Sequence, residues 1–226
     1  MSGGIDSSIV AELSVKALGA RRVVGVFLFE RDARSSEDYQ DAKLVARRLK
    51  IKTFDIPITP IIKAFTKSLV RSLKDLSRIT IANIKARSRM ILLYAFANQR
   101  NLLVAGTGDK SEELLGYFTK YGDGAVDILP IAHLYKTEVR ALASYLRIPI
   151  RIITKPSSPN LWKGQLARHE LPAEYDVLDP LLAKLFDERK SPSKIAKKQK
   201  KIVNAILSSY KETKHKRRTP YSLSDD

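Results

Sequence analysis

The opening residues Ser2-Gly3-Gly4-Ile5-Asp6-Ser7-Ser8 place two glycines, three hydroxyls and one carboxylate ahead of an apolar pattern. That pattern, Ile9, Val10, Ala11, Leu13, Val15, Ala17 and Leu18, has helical spacing and stops at Gly19. Glycine lets backbone N–H groups approach a ligand closely. A helix starting here adds unsatisfied N–H groups and the positive end of its dipole. With Ser2, Ser7 and Ser8 as further donors, the string predicts an anion cradle suited to phosphate. Asp6 is out of place in such a cradle unless a cation neutralises it, and Mg²⁺ held between Asp6 and phosphate oxygens does so. The plainer alternative is a Ser/Asp helix cap.

Elements able to position this loop alternate along the chain. Val23–Phe29 reads as a buried strand, Ser35 or Ser36 opens a helix to Leu49, and Lys52–Ile56 is a second strand stopped by Pro57. Helical patterns cover roughly 60–75 and 82–99. Leu102–Ala105 reads as a third strand, Thr137 caps a helix to about Leu146, and Ile150–Ile153 reads as a fourth strand. Helices dominate from about 173. The alternation predicts an α/β fold: a doubly wound, mostly parallel sheet with helices on both faces and a helical C-terminal part, as one domain over 1–226. Ligands in such sheets bind beyond the carboxyl ends of the strands.

Composition narrows the function classes. The 226 residues hold no cysteine, which excludes disulfides, thiolate metal sites and a cysteine nucleophile. No apolar run of membrane-spanning length occurs and the first residues lack a secretory pattern, so a soluble cytoplasmic protein is expected. The net charge is +17, of which residues 189–218 carry +11, from 12 basic side chains and Glu212. Ser193 is placed to cap a helix there, with Ile195, Ala196, Ile202, Val203, Ile206 and Leu207 as its apolar stripe. The charge suits a solvated helix face, an anion-facing surface or a nucleic-acid contact. No aromatic interleaving accompanies it. Low Asn and Gln content leans weakly toward a heat-adapted source.

Ser-Gly-Gly-x-Asp-Ser resembles the pyrophosphate-binding loop of ATP pyrophosphatases, enzymes that cleave ATP between the α and β phosphates and adenylate a substrate. Gly106-Thr107-Gly108-Asp109-Lys110-Ser111 suggests a Walker loop only superficially, because Asp109 stands where glycine is required. The segments Asn83–Met90, Ala105–Glu112, Gly116–Gly124 (with its Phe-Thr-Lys-Tyr-Gly-Asp-Gly string) and Leu134–Thr137, and the closing His215-Lys216-Arg217-Arg218, together resemble ammonia-dependent NAD synthetases of the archaeal type. The resemblance spans residues 2 to 218. It implies ATP-dependent amidation of deamido-NAD with ammonia through an acyl-adenylate, releasing AMP and pyrophosphate, by a homodimer. Absence of cysteine removes an internal glutaminase.

Residue roles follow from the same resemblance. Ser2, Gly3, Gly4, Ser7, Ser8, Thr107, Lys136 and Ser157 match ATP contacts, and Asp6 and Glu112 match Mg²⁺ ligands. Asp6 and Lys136 are the expected catalytic pair, the lysine acting where charge develops on the leaving pyrophosphate. Arg87, Lys120, Asp127, His215 and Lys216 match deamido-NAD contacts. Read alone, Arg87 is as easily a solvated helix charge, Asp123 a turn residue and Glu112 a first-turn helix charge. His133 and His169 fit no ligand spacing.

Related chains place a helix and a strand before Ser-Gly-Gly, whereas the motif here begins at residue 2. An N-terminal truncation is therefore expected. The competing readings are another ATP pyrophosphatase with a different acceptor, and a basic nucleic-acid-binding protein with a vestigial nucleotide loop. The Phe118–Gly124 string speaks against the first.

Overall fold

The computed structural model describes residues 1–30, 36–195 and 197–220. Helix α1 (Ile5–Leu18) follows the glycine loop directly and ends at Gly19. Strand β1 (Val24–Phe29), helix α2 (Glu37–Leu49) and strand β2 (Lys52–Pro57) form a βαβ unit. The strands pair in parallel from Val24 opposite Lys52 to Phe29 opposite Pro57. Ser36 caps α2, its hydroxyl accepting from the Tyr39 N–H at 3.3 Å; the alternative cap, Ser35, lies outside the described residues. Helices α3 (Thr59–Leu73) and α4 (Arg78–Arg100) follow and pack on each other. Then come α5 (Lys110–Leu115), α6 (Lys136–Tyr145), α7 (Ile150–Ile153), α8 (Tyr175–Leu182) and α9 (Lys200–Glu212).

The α/β class and the parallel sheet match the expectation, but the sheet holds only two strands among the described residues. The expected third strand is extended yet pairs only as a single bridge, Ala105 with Ile128. Its Val104 N–H donates to the Asp127 side chain at 2.7 Å rather than to a ladder, and Leu103 stays 73% exposed. The expected fourth strand is the short helix α7. Pro149 has its φ fixed at −52°, and its carbonyl accepts from both Ile152 and Ile153. Ile152 is buried while Ile150 is 70% exposed, a one-sided rather than alternating pattern. Two expected caps also move. Tyr135, not Thr137, occupies the N-cap of α6, and Ser193 lies in a 3₁₀ turn well before α9, which starts after Gln199. Ala196 of the expected stripe lies outside the described residues.

Two apolar cores result among the described residues. The first joins α1, β1, α2, α6 and α7 through Ile9, Phe27, Val45, Val139 and Ile152. The second joins α5, α8 and α9 through Leu115, Leu178, Leu182, Val203 and Ile206. Helix α6 belongs to both, since Val139 packs in the first and the preceding Tyr135 in the second.

Gly116 ends α5 in the left-handed region, with φ 64°. A Cβ there would lie 2.2 Å from Thr213 Oγ1, so the chain after α9 packs directly on this glycine. Lys216 Nζ reinforces the contact, donating to the Gly116 and Phe118 carbonyls at 2.7 Å each. Gly116→Ala combines backbone strain of roughly 1–2 kcal/mol with this clash. The expected result is a lower Tm and faster limited proteolysis near residues 213–218 than in the wild type; unchanged cleavage there would contradict the packing.

Candidate active site

The glycine loop folds onto its own hydroxyls. Ser7 Oγ accepts from the Ser2 hydroxyl at 3.1 Å and donates to the Gly4 carbonyl at 3.1 Å, and Ser8 Oγ donates to the same carbonyl at 2.8 Å. Ser2 Oγ accepts from the Gly4 N–H at 3.3 Å. Gly3 has φ +84°, and a Cβ on it would lie 1.9 Å from the Asp38 carbonyl oxygen. Only glycine lets the loop seat against the first turn of α2. Asp6 then falls in the first turn of α1. The first N–H groups of this helix face the same end, as a phosphate cradle requires. Ser7 and Ser8 are buried, so these hydroxyls shape the loop.

Opposite the loop lies Lys136, the first residue of α6 and 1% exposed. Its Nζ meets Asp6 Oδ1 at 2.8 Å, Asp109 Oδ2 at 2.7 Å and Glu112 Oε1 at 3.1 Å. Asp109 is fully buried, and its Oδ2 has no hydrogen-bonding partner besides this ammonium among the described residues. Asp109 also caps α5, with Oδ1 accepting from the Glu112 N–H at 2.8 Å while Glu112 Oε2 accepts from the Asp109 N–H at 3.4 Å. This reciprocal capping box fixes both carboxylates relative to one helix end. The Tyr175 ring lies 5.5 Å from the ammonium and its buried hydroxyl has no partner among the described residues.

The electrostatics follow from this packing. Burial pushes Asp109 up to about 6, with Lys136 pulling the other way and Asp6 adding to the rise. Burial, then the Asp109 charge, pushes Glu112 well above the usual carboxylate range. Burial opposes the charge on Lys136, but Asp6, Glu112 and Asp109 together outweigh it and hold the ammonium well above its ordinary value. Lys136 is therefore a fixed cation near neutral pH, not a base.

The remaining expected residues fall into two groups. Ser157 lines a cavity of about 170 Å³ with Arg140, Arg168, Glu174 and Tyr175, beside the lysine nest. Its segment is tied to α2 by Lys155, whose Nζ pairs with Asp38 Oδ1 at 2.8 Å and Asp41 Oδ2 at 2.5 Å. Thr107 is half-buried in the segment that leads into α5. On another face, the Arg87 guanidinium donates twice to the Lys120 carbonyl at 3.3 Å, and Lys120 Nζ donates to the His215 carbonyl at 2.6 Å. Arg87, Lys120 and His215 are thus brought together, with Lys216 alongside. Asp127 is engaged elsewhere, accepting from Tyr94 Oη at 3.0 Å and the Val104 N–H. Asp123 accepts from the Thr119 N–H at 2.9 Å, as a turn residue does.

Sequence reasoning missed Asp109, which it set aside as a Walker-loop defect. The Asp-x-x-Glu spacing of Asp109 and Glu112 was the signal that would have found it. Lys136→Met leaves three carboxylates without their cation, a loss of about 3–5 kcal/mol near pH 8. Carboxylates raised by burial bind more protons folded than unfolded across the window from the ordinary carboxylate range to their raised values, so folding is favoured as pH falls through it. The Tm gap between wild type and Lys136→Met is expected to narrow from pH 8 to pH 5; a gap constant across that range would refute the account.

Comparisons with known proteins identify the family. The family model described as NAD synthase matches residues 1–220. The NH(3)-dependent NAD(+) synthetase of Hyperthermus butylicus is 46% identical over 223 residues, covering 97% of this chain and 80% of that protein. Among solved structures, NMN synthetase from Francisella tularensis superposes with a TM-score of 0.84 at 34% identity, covering 99% of this chain and 87% of that one. An NH3-dependent NAD synthetase from Campylobacter jejuni superposes at 0.78 with 29% identity, covering 99% and 86%. A phosphate-type glycine loop facing a lysine held by three carboxylates, on a chain matched almost end to end, places this chain in the NAD synthase family.

Proposed function

We propose that this chain forms NAD by ATP-dependent amidation of deamido-NAD with ammonia. The observation that carries the reading is Lys136, a cation locked beside Asp6 at the mouth of the glycine loop. The nicotinate carboxylate attacks the α-phosphorus of ATP, and pyrophosphate leaves with the electrons of the broken P–O bond. Ammonia then attacks the acyl carbon, loses a proton and displaces AMP. The loop residues Ser2, Gly3, Gly4, Ser7 and Ser8 cradle the phosphates, Thr107 and Ser157 contact ATP, and Lys136 meets the charge that develops on the leaving pyrophosphate. Arg87, Lys120, His215 and Lys216 serve the dinucleotide; Asp127, tied to Tyr94 and Val104, is given the same role on the family resemblance alone.

The nest's charges support Mg²⁺. Three carboxylates and one ammonium leave a surplus of two negative charges when all are ionised, and the side chains of Asp6 and Glu112 are each 23% exposed while Asp109 is sealed. Among the described residues no three or more His, Asp or Glu side chains form a ready metal cage. Mg²⁺ suits this arrangement, since it commonly takes one or two carboxylates and completes its shell with substrate phosphates and water. Asp6 and Glu112 would hold it, and when bound it screens the repulsion between carboxylate and triphosphate.

Ammonia is the donor on the strength of the kinship with NH(3)-dependent NAD(+) synthetases. Phe65, Val70 and Leu73 of α3 and Ile79 and Ile91 of α4 are exposed, an apolar surface that favours a homodimer. No described helix is long and apolar enough to cross a membrane. The kinship to an NMN synthetase supplies a second reading, in which the acceptor is a mononucleotide.

The test incubates the protein with ATP, Mg²⁺, ammonium and either deamido-NAD or nicotinate mononucleotide, and measures AMP and amide product. NAD with stoichiometric AMP is expected from the dinucleotide; turnover with the mononucleotide alone selects the second reading, and no AMP with either sinks both. Asp6→Ala and Glu112→Ala are each expected to lower kcat at least about 100-fold. Asp6→Ala should not lower Tm, because the nest already holds excess negative charge.

A further inference from the structure

Lys136 is the first residue of α6, and a cation there opposes the helix dipole. The N-cap residue Tyr135 has no side-chain oxygen within reach of the first turn. Its phenol points instead to Asp187, whose Oδ2 accepts from it at 2.9 Å. Glu138 of α6 itself accepts from the Tyr135 N–H at 2.8 Å, and two orphan N–H groups of the first turn are satisfied by side chains from other helices. The Lys136 N–H donates to Ser111 Oγ at 3.0 Å, and the Thr137 N–H donates to Asp179 Oδ2 at 2.7 Å. Ser111 Oγ in turn donates to Asp179 Oδ1 at 2.7 Å. Ser111 is fully buried and Asp179 3% exposed.

We propose that Asp179 is a positioning residue for Lys136: it caps α6 from a different helix and, through Ser111, locks the lysine's backbone to α5, which carries Glu112. The geometry of α8 supports this beyond one contact. Tyr175, four residues before Asp179, lays its ring 5.5 Å from the Lys136 ammonium. After α8 the chain makes a π-helical turn, Ala183–Asp187, a kind of irregularity frequent at functional sites. That turn delivers Asp187 to Lys110 of α5, whose Nζ meets both its oxygens at 2.7 and 2.8 Å, and to Tyr135. Three side chains of one segment therefore grip the starts of both helices that bear Glu112 and Lys136.

The polarity of the network is fixed. Ser111 Oγ accepts from Lys136 and donates to Asp179, so the partner must be an acceptor at both oxygens. Asp179→Asn keeps the shape and the bond from Thr137, but turns an NH₂ toward Ser111 and orphans its hydroxyl proton in a water-free place.

This inference rests on the role given to Lys136 above. The test compares wild type, Asp179→Asn, Ser111→Ala and Leu178→Ala. Leu178 is fully buried in the second core beside Asp179 and serves as a control for lost stability alone. Steady-state kinetics are run well below every Tm, with amide exchange of the peptide covering 134–140 followed by mass spectrometry. Asp179→Asn and Ser111→Ala are each expected to lower kcat about 10- to 100-fold with KM for ATP within about twofold. Exchange at Lys136 and Thr137 should rise at least about tenfold. Leu178→Ala is expected to lower Tm yet keep kcat and local exchange. A kcat retained in Asp179→Asn, or lost equally in Leu178→Ala, overturns the proposal. Wild-type protein that makes neither NAD nor AMP overturns the reaction instead, and the exchange comparison then decides by itself whether Asp179 holds the start of α6.

Discussion

Lys136 carries its charge into a region that excludes water, and three carboxylates meet it there. An isolated ammonium in such surroundings gives up its proton or drives the protein open. Here each partner is fixed by a different local device. Asp6 sits in the first turn of α1, Asp109 caps α5, and Glu112 completes that cap. The glycine loop, the two helix starts and the junction between the two cores all take their places around this one ion. It serves as a structural keystone and, in the proposed reaction, as the chemical group the phosphates would meet. Removing a partner therefore disturbs both roles, and the sign of the effect on stability depends on whether a cation or an anion is removed.

The parts of this arrangement readable from sequence are those written in adjacent residues. The glycine loop, the run of α1 to Gly19 and the cap Ser36 depend on neighbours a few positions apart, and all three are present. The parallel pairing of β1 and β2 was likewise legible from two apolar, β-branched runs around a helix. What was misread depends on partners far along the chain. Leu102–Ala105 has the composition of a strand, but Asp127 takes the Val104 N–H that a ladder would use. Ile150–Ile153 has β-branched residues throughout, and Pro149 turns them into a helix.

The candidate site divides the same way. Asp6, Glu112 and Lys136 were singled out by motif and do converge. Asp109 reads as a defect when set against a Walker loop, although its spacing to Glu112 carries the correct information. Nothing local marks Asp179 or Ser111, since an aspartate inside an amphipathic helix reads as solvent-facing. Their importance comes from burial and from orphan N–H groups on a helix about forty residues away. Pattern reading detects periodicity and caps; it has no access to a cap supplied from elsewhere in the chain.

That remote cap has a bearing on how the molecule comes to be. Synthesis proceeds from the amino end, so α6 leaves the ribosome well before Asp179 follows it. Until α8 docks, the Thr137 amide lacks its acceptor, and Ser111, which takes the Lys136 amide, lacks the partner for its own proton. The phosphate loop, by contrast, forms from contacts within a few residues, and its seat on α2 is complete early. Maturation is thus ordered in time. The nascent chain acquires the glycine loop and the three carboxylates around Lys136 first, and the start of α6 that carries the lysine is fully capped only when α8 arrives. A chain interrupted before α8 would keep the lysine and its carboxylates but leave the Thr137 amide and the Ser111 hydroxyl proton unanswered.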